Sequence, residues 1–286
     1  MELLAAMDMV TSIKDLRSAL RGRSWKQRTG FIPTMGALHA GHLSLVSVAK
    51  QHADRVATSI FVNPTQFAPG EDLDAYPRTL DADLAALEQA GCDVAFVPHT
   101  ATMYPTGEVT RVSVPGTLSE TLEGAHRPQF FTGVATVVTK LLASAQADIS
   151  VFGEKDYQQL QVIRRMAEDL LLGTEIIGAP TVRASDGLAL SSRNTYLDAQ
   201  EREIAPMLYQ ALHDARSAIL DGVVPKQATD AATSFIKNAG FEAVDYIAYR
   251  SAKTLNEPSE PLEQGQGRLL AAAWLGKTRL IDNIEV

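Results

Sequence analysis

Through its first two thirds the chain alternates short β-branched or aromatic runs with stretches of helical spacing, and this alternation restricts the possible fold more than any other feature. Strands are expected at residues 30–32, 56–62, 94–97, 149–152 and 175–177. Between them Leu43, Val46 and Ala49, then Leu80, Leu84 and Leu87, then Leu160, Ile163 and Ala167 recur at the interval that puts side chains on one helix face. Strands joined through helices pair in parallel, since no short turn can fold one back on the next. Ser12 followed by Asp15 has the form of a capping box, and Gly91 stands where a left-handed residue ends a helix.

After about Thr181 the rhythm changes. Two helical stretches, 198–220 and 227–238, precede strands at 244–249, 268–274 and 279–284, which is an α+β arrangement. Pro206 has no N–H to donate, so the first stretch is expected to break there and restart with proline in its first turn. The expected architecture is α/β: a Rossmann-like parallel-sheet domain over residues 1–181 and a smaller α+β domain over 182–286, with 256–267 as a surface loop.

Composition narrows the function. With 26 basic and 34 acidic residues the net charge is −8, and no long basic run offers phosphates a face, so nucleic acid is not the expected partner. The single cysteine, Cys92, excludes an intrachain disulfide framework and argues against a structural zinc site, which fits a reducing cytoplasm. No apolar run approaches the ~18 residues of a membrane span. Residues 1–8 lack the basic segment of a signal peptide. A cytoplasmic protein without membrane attachment is expected.

The most informative segment is 31–42, Phe-Ile-Pro-Thr-Met-Gly-Ala-Leu-His-Ala-Gly-His, a strand that turns through glycine into a helix at His39-x-Gly41-His42. Random order would place His-x-Gly-His about 0.01 times in a chain with 6 His and 19 Gly. A helix start presents unpaired N–H groups and a positive dipole end to phosphate oxygens, two imidazoles add donors, and Gly41 removes a side chain that would block a flat base. A zinc pair would need a third ligand, and none stands nearby in the sequence.

This segment resembles the HxGH signature of the nucleotidyltransferase superfamily that includes class I aminoacyl-tRNA synthetases, and its wording is similar to that of the pantoate–β-alanine ligase family. Further stretches carry the same resemblance: Phe61-Val62-Asn63-Pro64-Thr65-Gln66-Phe67, Tyr76-Pro77-Arg78, residues 151–160 around Gly153-Glu154-Lys155-Asp156, residues 186–194 with Ser191-Ser192-Arg193, and Arg279-Leu280-Ile281-Asp282-Asn283. The resemblance covers nearly the whole chain.

It implies an ATP-dependent ligase acting in two steps. Pantoate and ATP give pantoyl adenylate and pyrophosphate; β-alanine then attacks to give pantothenate and AMP. It also implies Mg2+ carried with ATP and a homodimer, with the first domain binding ATP and pantoate. The implied ATP contacts are Met35, His39, Gly41, His42, Gly153, Lys155, Asp156, Ser191, Ser192 and Arg193. Of these His39, His42, Lys155, Ser191, Ser192 and Arg193 carry the catalytic roles. The implied pantoate contacts are Met35, Asn63, Gln66 and Gln159, and the metal ligands are unknown. The residues alone leave alternatives open: Lys155 and Arg193 could be solvated surface charges, and Gln66 and Gln159 could cap loop backbone. A nucleotidyltransferase that forms no amide and a non-catalytic nucleotide-binding module are the other functions considered.

Two segments are read further. The polar, proline-bearing stretch 67–77 reads as a lid that would keep water from a hydrolysable adenylate. The family run Arg-Pro-x-His-Phe stands here as Arg127-Pro128-Gln129-Phe130-Phe131, which puts Phe130 in the place of an imidazole.

Overall fold

A computed structural model describes residues 7–21, 26–67, 73–258 and 262–286. In chain order the elements are β1 (Asp8–Val10), α1 (Ile13–Arg21), β2 (Thr29–Thr34), α2 (Ala40–His52), β3 (Arg55–Ile60), α3 (Leu80–Gln89), β4 (Val94–Phe96) and α4 (Thr100–Met103). There follow α5 (Thr117–Glu120), α6 (Glu123–His126), α7 (Phe130–Ala145), β5 (Ile149–Gly153), α8 (Tyr157–Asp169) and β6 (Glu175–Ala179). The chain closes with α9 (Ala199–Ile204), α10 (Met207–Leu220), α11 (Pro225–Ala239), β7 (Ala243–Ser251), β8 (Gly267–Leu275) and β9 (Thr278–Glu285).

These residues form two compact units. The first takes the described residues of Met1–Val114, Arg127–Glu154 and Val162–Pro180; the second takes Pro115–His126, Lys155–Gln161 and the described residues of Thr181–Val286. Two segments that precede residue 181 in the chain therefore belong to the second unit.

The first unit is built on a parallel six-stranded sheet of order β1-β4-β3-β2-β5-β6. From β2 the chain winds outward through β3 and β4, then returns to lay β5 on the other side of β2. The winding direction changes between β2 and β5, the kind of switch point at which open α/β sheets take their ligands. Between the edge strands β1 and β6 the sheet is covered on both faces, so β2, β4 and β5 are nearly continuous buried runs rather than alternating ones. Ile32, Val56, Ala95, Ile149 and Val151 pack with Leu45, Val46 and Ala49 of α2.

Several local expectations hold for stated physical reasons. Asp15 N donates to Ser12 Oγ at 3.1 Å, and that hydroxyl donates in turn to Asp15 Oδ2 at 2.6 Å, so the cap closes through the hydroxyl. Gly91, at φ 74°, follows the end of α3. Strand β3 stops at Ile60, two residues short of the expected end, because Asn63 caps a short 3-10 turn over Pro64–Gln66. Helix α7, the longest among the described residues, has no counterpart in the sequence reading. Most of its positions are apolar and buried, with Lys140 its one charged residue, it is rich in Val and Thr, and no side chain caps its start, so it carries few helix signals. Strand β1 has no counterpart there either.

The second unit carries the antiparallel sheet β7-β8-β9. Leu208, Leu212 and Ala215 of α10 and Ile236 of α11 pack on Leu269, Ala271, Ala273 and Leu280. Pro206 separates α9 from α10 and caps the second, as its missing N–H requires. Among the described residues no helix is long and apolar enough to cross a membrane. Of the expected lid, residues 68–72 lie outside the described residues.

Candidate active site

In the first unit the segment after β2 is shaped by one carboxylate. Asp83, on α3 and only 3% exposed, accepts from Ala37 N at 3.0 Å, Leu38 N at 2.8 Å and Thr79 Oγ1 at 3.1 Å. Those bonds hold a turn with two left-handed residues, Gly36 at φ 81° and Ala37 at φ 51°. Ala37 is strained there, and the buried carboxylate keeps it so.

The turn delivers His39 to the N-cap of α2. Its Nδ1 accepts from Gly41 N at 3.1 Å, and His42 Nδ1 accepts from His39 N at 3.3 Å. The two rings lie with centroids 4.1 Å apart. An imidazole that accepts at Nδ1 carries its proton on Nε2 when neutral. The reciprocal cap therefore orients two Nε2–H donors at the start of a thirteen-residue helix, beside that helix's positive end. Gly153 ends β5, the strand next to β2, and a Cβ built on it meets nothing within 4 Å.

Two of the four expected acid-binding residues, Asn63 and Gln66, lie on the turn after β3, while Met35 follows β2 and Gln159 lies on α8 in the second unit. Asn63 is 1% exposed, and its amide is spent on protein. Its Oδ1 accepts from Tyr104 OH at 2.7 Å, Thr65 Oγ1 at 3.0 Å and Thr65 N at 3.3 Å; its Nδ2 donates to Gln66 Oε1 at 3.1 Å and Gly133 O at 3.3 Å. Asn63 thus holds Gln66 rather than presenting a polar group of its own. Gln66 Nε2 lies 2.8 Å from Met35 Sδ, a weak acceptor that a carboxylate or hydroxyl oxygen would displace. The tie to Met35 runs through its thioether, not its backbone.

Gly133 of α7 abuts this turn so closely that a Cβ there would sit 2.3 Å from Thr65 O and 2.9 Å from Gln66 Cα. Both obstacles are backbone. Gly133→Ala is expected to raise the KM for the acid by about tenfold or more and to lower the thermal midpoint, overpacking costing about 1–3 kcal/mol. Steady-state kinetics with a melting curve check it, and an unchanged KM would show that the turn does not position Gln66 for substrate.

Phe130 has a visible task in the same place. The Arg127 guanidinium lies 3.9 Å over its ring and donates to Gln66 O at 3.3 Å, so the aromatic face supports the cation that steadies the glutamine's backbone. Phe130→His is expected to change product formation by less than about tenfold, roughly 1.4 kcal/mol of barrier. Single-turnover transfer from preformed adenylate across a pH series is the measurement. A gain of a hundredfold, with a new ionisation near ~6.5, would assign chemistry to this position.

In the second unit Lys155 and Asp156 follow Gly153 on a 3-10 turn over Glu154–Asp156, and Lys155 Nζ lies 4.0 Å from Asp156 Oδ1. On α8 the two neighbouring glutamines separate in role. Gln158 is buried, donating to Leu118 O and Thr121 O while accepting from Glu123 N; Gln159 is only half-buried. Nothing along the chain distinguishes the structural glutamine from its neighbour. Ser191 caps the 3-10 turn Ser192–Tyr196, its Oγ accepting from Arg193 N at 3.3 Å, and Asn194 Nδ2 donates to Ala189 O at 3.0 Å. Ser191, Ser192 and Arg193 are thus held on one turn whose side chains are half-exposed.

The family model described as pantoate-beta-alanine ligase matches residues 8–285. The chain belongs to the pantoate–β-alanine ligase family. It is 55% identical over 282 residues to the pantothenate synthetase of Caulobacter vibrioides, covering 97% of this chain and 98% of that one. The crystal structure of pantothenate synthetase from Thermus thermophilus matches with a TM-score of 0.92 at 45% identity, over 98% of this chain and 99% of that one. The Francisella tularensis pantoate-beta-alanine ligase, whose crystal structure is described as complexed with beta-gamma ATP and beta-alanine, matches with a TM-score of 0.81 at 37% identity and 98% coverage of both chains. The chain is therefore an enzyme of an ATP-using ligase family, joining pantoate to β-alanine.

Proposed function

We propose that the residues above divide the reaction as follows. Pantoate's carboxylate oxygen attacks the α-phosphorus of ATP, forming the acyl–O–P bond as the bond to pyrophosphate breaks. The amine of β-alanine then attacks the acyl carbon, the C–O bond breaks, and AMP departs. A free carboxylate is a poor electrophile, so the first step is what makes the second possible. Neither step needs an enzyme nucleophile; placement and charge stabilisation suffice.

The observation that carries this reading is the reciprocal cap of His39 and His42 at the start of the helix that follows β2. Their Nε2–H donors bind phosphate oxygens. Lys155 bonds the phosphate oxygens and the reacting carboxylate, and Ser191, Ser192 and Arg193 grip the departing pyrophosphate. Gly153 leaves room for the ribose, whose hydroxyls donate to Asp156. Met35 and Gly41 line the nucleotide, while Gln66 and Gln159 bind pantoate, Gln66 being held by Asn63.

Mg2+ is part of the substrate in this reading. Among the described residues no group of three His, Cys, Asp or Glu side chains could hold a metal, and Mg2+ on nucleotides is bound largely by phosphates and water. No step is assigned to a protein-held ion. We also propose, from the family resemblance, a cytoplasmic homodimer, checked by light scattering in solution.

Pyrophosphate exchange into ATP across a panel of hydroxy acids tests the reading. Exchange should require pantoate and proceed without β-alanine, and amide should form only when the amine is added. Exchange that depends on the amine would contradict a two-step reaction.

A further inference from the structure

The second unit contains a buried polar bracket that no role above uses. Asp282 and Asn283 are adjacent on β9 and are 5% and 3% exposed. Neighbouring strand residues point to opposite faces, so the pair reaches two different partners. Asp282 receives both terminal nitrogens of Arg183, at 2.6 and 2.8 Å. Arg183 also donates to Gly187 O at 3.0 Å and bridges to Ala189, which fixes the loop that leads into Ser191. On the other face Asn283 Nδ2 donates to Lys155 O at 2.8 Å, while its Oδ1 accepts from Arg268 Nε at 2.7 Å. Arg268 lies 3.9 Å over the Tyr157 ring, two residues beyond Lys155. A guanidinium can only donate and a carbonyl can only accept, so these partners fix which way the Asn283 amide faces.

We infer that Asn283 is a positioning residue for adenylation, tying the Lys155 backbone to the strand whose preceding residue anchors the loop of Ser191, Ser192 and Arg193. The inference rests on the phosphate-binding roles proposed for Lys155 and that loop. Lys155 sits on a three-residue 3-10 turn between β5 and α8, and the Asn283 amide adds a side-chain bond to its carbonyl. Its ammonium rides on a flexible four-carbon stem, so the backbone must be placed before the charge can be. Through Asn283 and Asp282, one strand references both cationic groups to each other.

Asn283→Asp separates this role from a merely structural one. The carboxylate keeps the shape and the acceptor for Arg268, now charge-assisted, but replaces the donor to Lys155 O by an oxygen that repels it. The variant is expected to melt below the parent but to remain folded, because a buried oxygen then faces the Lys155 carbonyl. Its kcat for pyrophosphate exchange should fall about ten- to a hundredfold, the usual scale for a small misplacement of a reacting group. The KM for ATP should change less than kcat does, and transfer from preformed pantoyl adenylate to β-alanine should stay close to parental. Lys155→Ala run alongside should abolish most exchange, and the double variant should be no slower than Lys155→Ala alone, because Asn283 acts through Lys155. Should Asn283→Asp fold poorly, Asn283→Ala should show the same split between the half-reactions. Normal exchange in Asn283→Asp beside a crippled Lys155→Ala would overturn the inference alone, and so would equal losses in both half-reactions. Normal exchange in Lys155→Ala would overturn the underlying role of the lysine as well.

Discussion

Replacing Lys155 by alanine is expected to slow pyrophosphate exchange by about a hundred- to a thousandfold, some 3 kcal/mol or more of transition-state stabilisation, while the thermal midpoint hardly moves. The fold should tolerate the change because the side chain's ion-pair partner is Asp156, at 4.0 Å, whose side chain is 48% exposed. Pairs of that kind contribute little to stability, and the carboxylate left behind remains hydrated. The rate should not tolerate it. As the carboxylate oxygen approaches the α-phosphorus, negative charge gathers on oxygens, and stabilising that charge is the role proposed for the Lys155 ammonium. Exchange measured with purified, folded variant is the test, and a near-normal rate would remove Lys155 from the chemistry.

Asp83→Ala should produce the largest combined loss of stability and activity in the first unit. The carboxylate is buried and satisfies two backbone N–H groups and one hydroxyl. Its removal leaves Ala37 N and Leu38 N without that acceptor, and hydrogen bonds to charged groups are each worth about 1.5–3 kcal/mol. A loss of about 3 kcal/mol or more in denaturant unfolding is expected. Release of the left-handed turn should also let His39 drift from its cap, lowering exchange more than about tenfold. Asp83→Asn should fall between the two, since one oxygen still accepts while the new NH2 faces a donor. A stability loss below about 1 kcal/mol would mean that water replaces the carboxylate and that the turn holds itself.

What could be read from the sequence follows from how local each signal is. The strands at the sheet centre and the break at Pro206 are set by residues within a few positions of one another, and each stands where its local chemistry puts it. Helix α7 escapes because its run is rich in Val and Thr, which favour strands, and no capping side chain marks its start. The site residues divide in the same way. The histidine pair announces itself by spacing. Asp83 reads as an ordinary acid in the first turns of a helix, and nothing near it tells that its carboxylate holds a turn 46 residues earlier. Asn63 and Gln66 share one motif, and only the partners of the Asn63 amide reveal that one residue holds the other. Asn283 sits 128 residues from the carbonyl it holds, a separation that no pattern along the chain encodes.

Activation of pantoate as its adenylate is the step on which amide formation depends. Pantoate carrying heavy oxygen in its carboxylate, turned over with ATP and β-alanine, tests it most directly. The bridging oxygen of an acyl adenylate comes from the carboxylate and leaves with the phosphoryl group. Mass spectrometry of the products should therefore find one labelled oxygen in each AMP and none in pyrophosphate. Unlabelled AMP, or label appearing in pyrophosphate, would contradict the account.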